Sequence, residues 1–387
     1  MYSNDDLNSA VAAGALSAEA ADALRAHIAV QRQAPLQDEE NFRLVTSFND
    51  IFVTIGVIIL LIAVGSIVAA AMPNETGASL LNTALSVGMP AAAIAATAWG
   101  LAEIFTRRRR MALPSIVLLL AFAGAAYLAV GSVVALPVFA IAGENLTAGN
   151  QALSGQQSAG PGTAALLLAA TLTALLARAH WRRFRVPITI AAGAGIVTAA
   201  LIAAANLAMD WLTGTDPDLP NMLIVFAAGL GVFALAMRWD MTDRMRTTRR
   251  SDVAFWLHLL AAPLIVHPLF SALGVIGSGQ EIGVLSALAV IAIYAVLTLV
   301  ALAIDRRALL VSALAYVLIA LTFLFDRFGA VELSFALTAL VIGSTLLTLS
   351  AMWSGIRNAV LARLPESWRT VLPPPALVPA AAGQAAT

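Results

Sequence analysis

The sequence predicts an all-α fold: a polytopic membrane helical bundle of about ten transmembrane helices, with both termini cytoplasmic. Three observations carry that expectation. The 387 residues are 60% hydrophobic and only 11% charged, with a mean hydropathy of +0.88, whereas soluble chains are about 45–50% apolar and about 25% charged. Ten apolar runs near bilayer-spanning length follow a hydrophilic start. Finally, the basic residues fall almost wholly in alternate loops, the pattern that marks the cytoplasmic side.

The runs lie at 51–71, 80–105, 113–136, 163–179, 186–208, 221–237, 253–275, 282–304, 308–325 and 331–352. The fourth, sixth and ninth are near the lower limit for crossing a bilayer. None of the runs alternates apolar with polar residues, which excludes a membrane β-barrel. All 22 basic residues are arginine. One side of the membrane receives those of the N-terminal head, Arg107 to Arg110, Arg178 to Arg185, Arg238 to Arg250, Arg306 and Arg307, and those after residue 352. The other side receives Arg327 alone. Nine or eleven spans would destroy that partition. The connections expected outside are rich in Gly, Asn and Asp, and the longest, between the third and fourth runs, reads as a flexible linker.

Three regions follow. Residues 1–48 are a cytosolic helical head: Gly14 suits the position after a first short helix, Ser17 can cap a second, and Glu19 suits its first turn. The start lacks the basic and apolar regions of a signal peptide. Residues 49–353 are the ten-helix domain. Residues 354–387 are an interfacial helix and a Pro/Ala-rich tail expected to be disordered. Trp353, Ile356, Val360 and Leu364 recur at helical spacing, with Arg357 and Arg363 off that line, which places Trp353 at headgroup level.

The composition excludes several chemistries. There is no cysteine, hence no disulfide, thiolate ligand or cysteine nucleophile. No phosphate-binding loop, nucleophile elbow, zinc-protease helix or dinucleotide fingerprint is present. The basic loops are orientation signals, so no nucleic-acid partner is expected. Four histidines include His27 in the head and His180 at the end of the fourth run, expected in a loop. They offer too few ligands for haem or zinc, and neither a metal nor a cofactor is expected.

The chemistry that remains is in the seventh run, which holds His258, His267, Pro263 and Pro268. Ionisable groups at membrane depth usually face a bundle interior or a wet cavity. The histidines are nine residues apart, roughly 13 Å and half a turn on a regular helix, so they cannot share a metal ion. A buried imidazole needs a partner, and for His258 a bond to helix one or two is expected, with Glu103 and Asp50 the nearest acids. His267 is expected in an outer vestibule with Asn206, Asp210, Glu281, Arg327 and Glu332. A matching inner set comprises Asn49, Asp50, Glu103 and Asp252. Ten helices divide into five and five, compatible with inverted repeats, and Gly193, Gly195, Gly229 and Gly231 permit close helix approach.

Gly14 to Glu19, the stretch from Glu40 and Arg43 to Asp50 and Phe52, and Trp353 and Arg357 to Pro365 resemble uncharacterised bacterial multi-pass membrane proteins with a short helical head. The resemblance implies a bacterial inner (cytoplasmic) membrane and brings no activity. Two functions are expected from the residues: transport or permeation of a small solute, proton-linked through the histidines, or a non-catalytic scaffold or sensor recruiting a protein partner through residues 1–40. An enzyme ranks third, because no nucleophile with a base and no three-ligand metal site can be assembled.

Overall fold

The computed structural model describes residues 10–24, 48–72, 80–141, 159–213, 218–246, 248–274, 283–329 and 331–374. These are all helical or turn, and ten helices are long and apolar enough to cross a membrane. The chain is a multi-pass membrane protein. The spans are α1 (Phe48–Ala70), α2 (Leu80–Ala102), α3 (Ala112–Ile141), α4 (Ala159–Phe184), α5 (Ile188–Thr213), α6 (Asp218–Thr242), α7 (Arg249–Ala272), α8 (Val284–Ile304), α9 (Ala308–Arg327) and α10 (Ser334–Ala351). A π-helical segment, Glu103–Arg108, extends α2, and α11 (Trp353–Arg363) and α12 (Glu366–Arg369) follow the last span.

The three short runs are longer as helices: α4, α6 and α9 have 26, 25 and 20 residues. Arginine and other polar residues beyond an apolar run continue the backbone ladder into the interface, so apolar length underestimates helix length. In the head, Gly14 takes the left-handed conformation at φ 71°, and the Ser17 hydroxyl accepts from the Ala20 N–H at 3.1 Å. Both are the expected boundary devices.

Helix endings differ between the two ends of the bundle. α7 and α9 run into left-handed Gly274 and Gly329, whereas at the arginine-rich end the left-handed residues are Arg110, Arg185, Arg246 and Asp305. A non-glycine residue costs about 1 kcal/mol or more in that conformation. Asp305 leaves α8 in a Schellman-type turn, with the Arg306 N–H donating to the Ala301 carbonyl at 2.9 Å.

The closest backbone packing is between α2 and α3 and between α6 and α7. Gly229 explains the second pair: a Cβ there would stand 2.8 Å from the Leu264 backbone carbon. α7 and α8, which five-plus-five repeats would make the counterpart of α2 and α3, hardly approach one another by backbone among the described residues.

α7 is the central helix. Its membrane window is 56% buried, against 17–39% for the other nine spans. It contributes Val253, Leu257 and Ala261 to an apolar cluster with α5 and α6, and Val266 and Phe270 to one with α8, α9 and α10. It also sends Ala262 into a cluster with α8, α9 and α11, and Trp256 against the cluster built by α1, α2 and α3. Elsewhere the spans leave exposed apolar faces such as Ile59, Ile62 and Ile67 on α1, the surface a lipid environment solvates.

α11 departs from the expected interfacial helix. Its packed face is Trp353, Arg357 and Leu361, all buried. Trp353 is only 2% exposed, so it is a core residue rather than a headgroup anchor. Its indole N–H has a carboxylate partner, Asp305, at 2.7 Å, which makes burial of the polar edge favourable.

Candidate functional site

The structure concentrates its buried polar chemistry at the arginine-rich end, where α6, α7, the α8–α9 turn and α11 meet. His258 on α7 is fully buried, and its Nε2 lies 3.0 Å from an Asp240 carboxylate oxygen. Facing a carboxylate, that nitrogen carries the proton. Its other nitrogen, Nδ1, has no hydrogen-bond partner, and the Phe233 ring meets the imidazole edge-on. The partner is therefore Asp240 on α6, which corrects the expected bond to helix one or two. Glu103 and Asp50 are engaged elsewhere.

Asp240 is shared. The Arg306 guanidinium, only 2% exposed, grips its two oxygens, with Nε at 3.2 Å from Oδ2. The same Arg306 also donates to the Ser251 carbonyl at 3.0 Å and hydroxyl at 3.2 Å. One carboxylate thus ties α6, α7 and the α8–α9 turn. Two-point pairing of this kind is the strong form of an arginine–carboxylate contact.

Beside it stands a second centre at Asp305. Arg246 donates to its carboxylate at 2.8 Å and to the Ile304 and Asp305 carbonyls at 3.0 and 2.9 Å. Burial pushes the Arg246 guanidinium below its ordinary value, and the nearby Arg306 charge acts the same way, yet an arginine stays protonated. Arg357 Nε lies 3.6 Å from Asp305, while its other nitrogens donate to the Pro373 and Pro374 carbonyls at 2.7 and 2.9 Å. Arg244 donates to the Leu372 carbonyl at 2.9 Å and to that of Arg369 at 3.1 Å. The two arginines strap the chain after α12 onto the bundle.

The other expected site residues are dispersed. His267 is exposed and bonds Tyr316 on α9 at 3.0 Å. Asn206 donates to Asn221 on α6 at 2.8 Å. Arg327 and Glu332 flank the α9–α10 turn, both exposed. Asp210 falls on α5 with its side chain outside the described set, and Glu281 lies outside the described residues. On the arginine-rich side Glu103 takes Arg183 at 2.6 and 3.1 Å and Arg107 at 3.2 Å, and Asp50 is buried in the first turn of α1.

His180 also differs from its expected place in a loop. It is buried within α4 among Trp99, Phe122 and Phe184, with its Nδ1 3.3 Å from the Thr189 hydroxyl. Among the described residues no three His, Asp or Glu side chains are grouped so as to hold a metal ion.

Three adjoining surface cavities, of about 680, 500 and 570 Å³, lie along α4 and α5 and at the end of α6 and the start of α7. Neither His258 nor His267 lines them. No family model matches the chain, and no curated protein or solved structure is significantly similar to it.

Asp240, Asp305 and Arg306 were hidden in the sequence among the orientation arginines. The signal available was an acid at each of two arginine-rich helix ends. An acid has no part in the positive-inside pattern.

Proposed function

We propose that this protein is a non-catalytic scaffold or sensor, with its arginine-rich end and both termini in the cytoplasm. The observation that supports this reading is the strap. Arg244 and Arg357 fix the backbone from Arg369 to Pro374 through four carbonyls, and Arg357 is itself held beside Asp305. That gives the bundle a rigid platform with Trp368 outward, 61% exposed. A large exposed aromatic beside a fixed backbone suits partner docking. The cytosolic head supplies a second contact.

Transport through a cavity lined by the two histidines is the weaker reading. His258 is buried against Asp240 and Phe233, and His267 stands exposed beside Tyr316. Neither imidazole lines any of the three cavities.

A photo-crosslinking residue placed at Trp368 in cells tests the proposal. A discrete adduct is expected in the otherwise unaltered chain and in a His258→Asn/His267→Asn variant. It should be lost in Arg244→Ala/Arg357→Ala and on deletion of residues 1–40. Purified protein that moves protons or a solute across liposomes, and stops when the histidines are replaced, would overturn the scaffold reading in favour of transport.

A further inference from the structure

The three adjoining cavities form one furrow. The largest and the second share Leu175, Arg178 and Arg182, and the largest and the third share Trp181, Arg185 and Trp239. Its apolar part runs between α4 and α5 over small side chains such as Ala174, Ala177 and Gly193. From Ala174 to its end at Phe184 the rise of α4 is about 15 Å, close to the roughly 15 Å of hydrocarbon in one leaflet. Arg178 stands one turn from Ala174, and the other arginines lie toward the arginine-rich end.

Most of the charge there has no carboxylate in contact, although Asp252 feels Arg249 at longer range. Arg183 and five further arginines, Arg178, Arg182, Arg185, Arg249 and Arg250, line the furrow, and no acidic residue does. Among the described residues none of the five forms an ion pair. Arg183 grips Glu103 at 2.6 Å, and the half-buried Arg246 and the buried Arg306 and Arg357 all have carboxylates. Within the furrow, Arg185 instead lies over the Trp181 ring at 6.0 Å, and Arg249 donates to the Arg185 carbonyl at 3.4 Å. An orientation signal requires arginines on one side; it does not require an apolar channel ending among them.

We infer that this furrow is a binding site for an anionic phospholipid of the leaflet at the arginine-rich end, its phosphate among the five guanidiniums and one acyl chain along the α4–α5 channel. Basic pockets between membrane helices take acidic lipid headgroups in this way. Trp181 and Trp239 lie at the junction of charged and apolar parts, where amphipathic rings are favoured. A soluble anion or an acidic peptide would leave the apolar channel without a purpose.

The test is native mass spectrometry of the full chain in detergent with dioleoylphosphatidylglycerol, dioleoylphosphatidylcholine or inorganic phosphate. Phosphatidylglycerol should be retained at least tenfold more strongly than phosphatidylcholine. Arg178→Gln/Arg182→Gln should cut that retention by about fivefold per arginine, while Arg108→Gln/Arg109→Gln, a matched charge loss in a neighbouring loop, changes it less than twofold. Val197→Trp, which fills the apolar channel at a 41% exposed position, should reduce retention with the charge intact. Thermal melting of each variant separates site loss from unfolding. Equal retention of the two lipids, equal loss in the two arginine doubles, or displacement of phosphatidylglycerol by millimolar inorganic phosphate alone would overturn the assignment.

Discussion

Asp240 and Arg306 stand 66 residues apart in sequence and face each other in the protein interior, guanidinium against carboxylate. Each is almost without solvent, so each is the other's main compensation for desolvation. Arg306→Met should therefore destabilise the bundle by about 3–5 kcal/mol, because it leaves a buried carboxylate without its guanidinium partner. Adding Asp240→Asn should recover part of that loss, with a coupling of about 0.5–3 kcal/mol between the two positions. Thermal unfolding in detergent of the two singles and the double measures it, and strict additivity would refute the pairing.

Gly229 carries a different kind of sensitivity. Gly229→Ala places a methyl group 2.8 Å from a backbone carbon of Leu264, so the two helices must part, at a cost of about 1–3 kcal/mol. Gly231 meets nothing within 4 Å. Gly231→Ala should be neutral or stabilise by roughly 0.5–1 kcal/mol through helix propensity. A melting comparison in which both variants behave alike would show that the close approach at Gly229 is unimportant.

The two histidines should separate in the same assay. His258→Phe removes the imidazole from Asp240 and crowds Phe233, and a clear loss of melting temperature is expected. His267→Phe and Tyr316→Phe each remove one exposed inter-helix bond, of the kind worth about 0.6 kcal/mol between membrane helices. The double should lose no more than either single, since the bond is the same one.

Topology is the fourth expectation. Reporter fusions at residue 387 and in the loop of Arg107 to Arg110 should signal cytoplasm, and one at Gly155 the periplasm. A cytoplasmic signal at Gly155 would reverse the orientation inferred from the arginines.

Much of this architecture is legible in the sequence because it rests on local rules. Apolar run length marks the ten spans, and Gly14 and Ser17 announce their turn and cap. The partner of His258 was not legible. By helical rise His258 lies about 13 Å into α7, while Asp240 is about 3 Å from the end of α6. A straight antiparallel hairpin would not bring them together. Their meeting requires the two helices to be offset along their axes, a tertiary property with no sequence period. The face of α11 misled for a related reason: Arg357 reads as polar surface, and only the carboxylate of Asp305 and the carbonyls after α12 make its burial tolerable.

The strap after α12 also fixes an order of events during biogenesis. Leu372, Pro373 and Pro374, whose carbonyls receive Arg244 and Arg357, are translated only after all ten spans. Until then both guanidiniums lack those carbonyl contacts. Insertion and final closure are consequently separate steps, and the last residues of the described chain act as the clasp that completes a bundle already in the membrane.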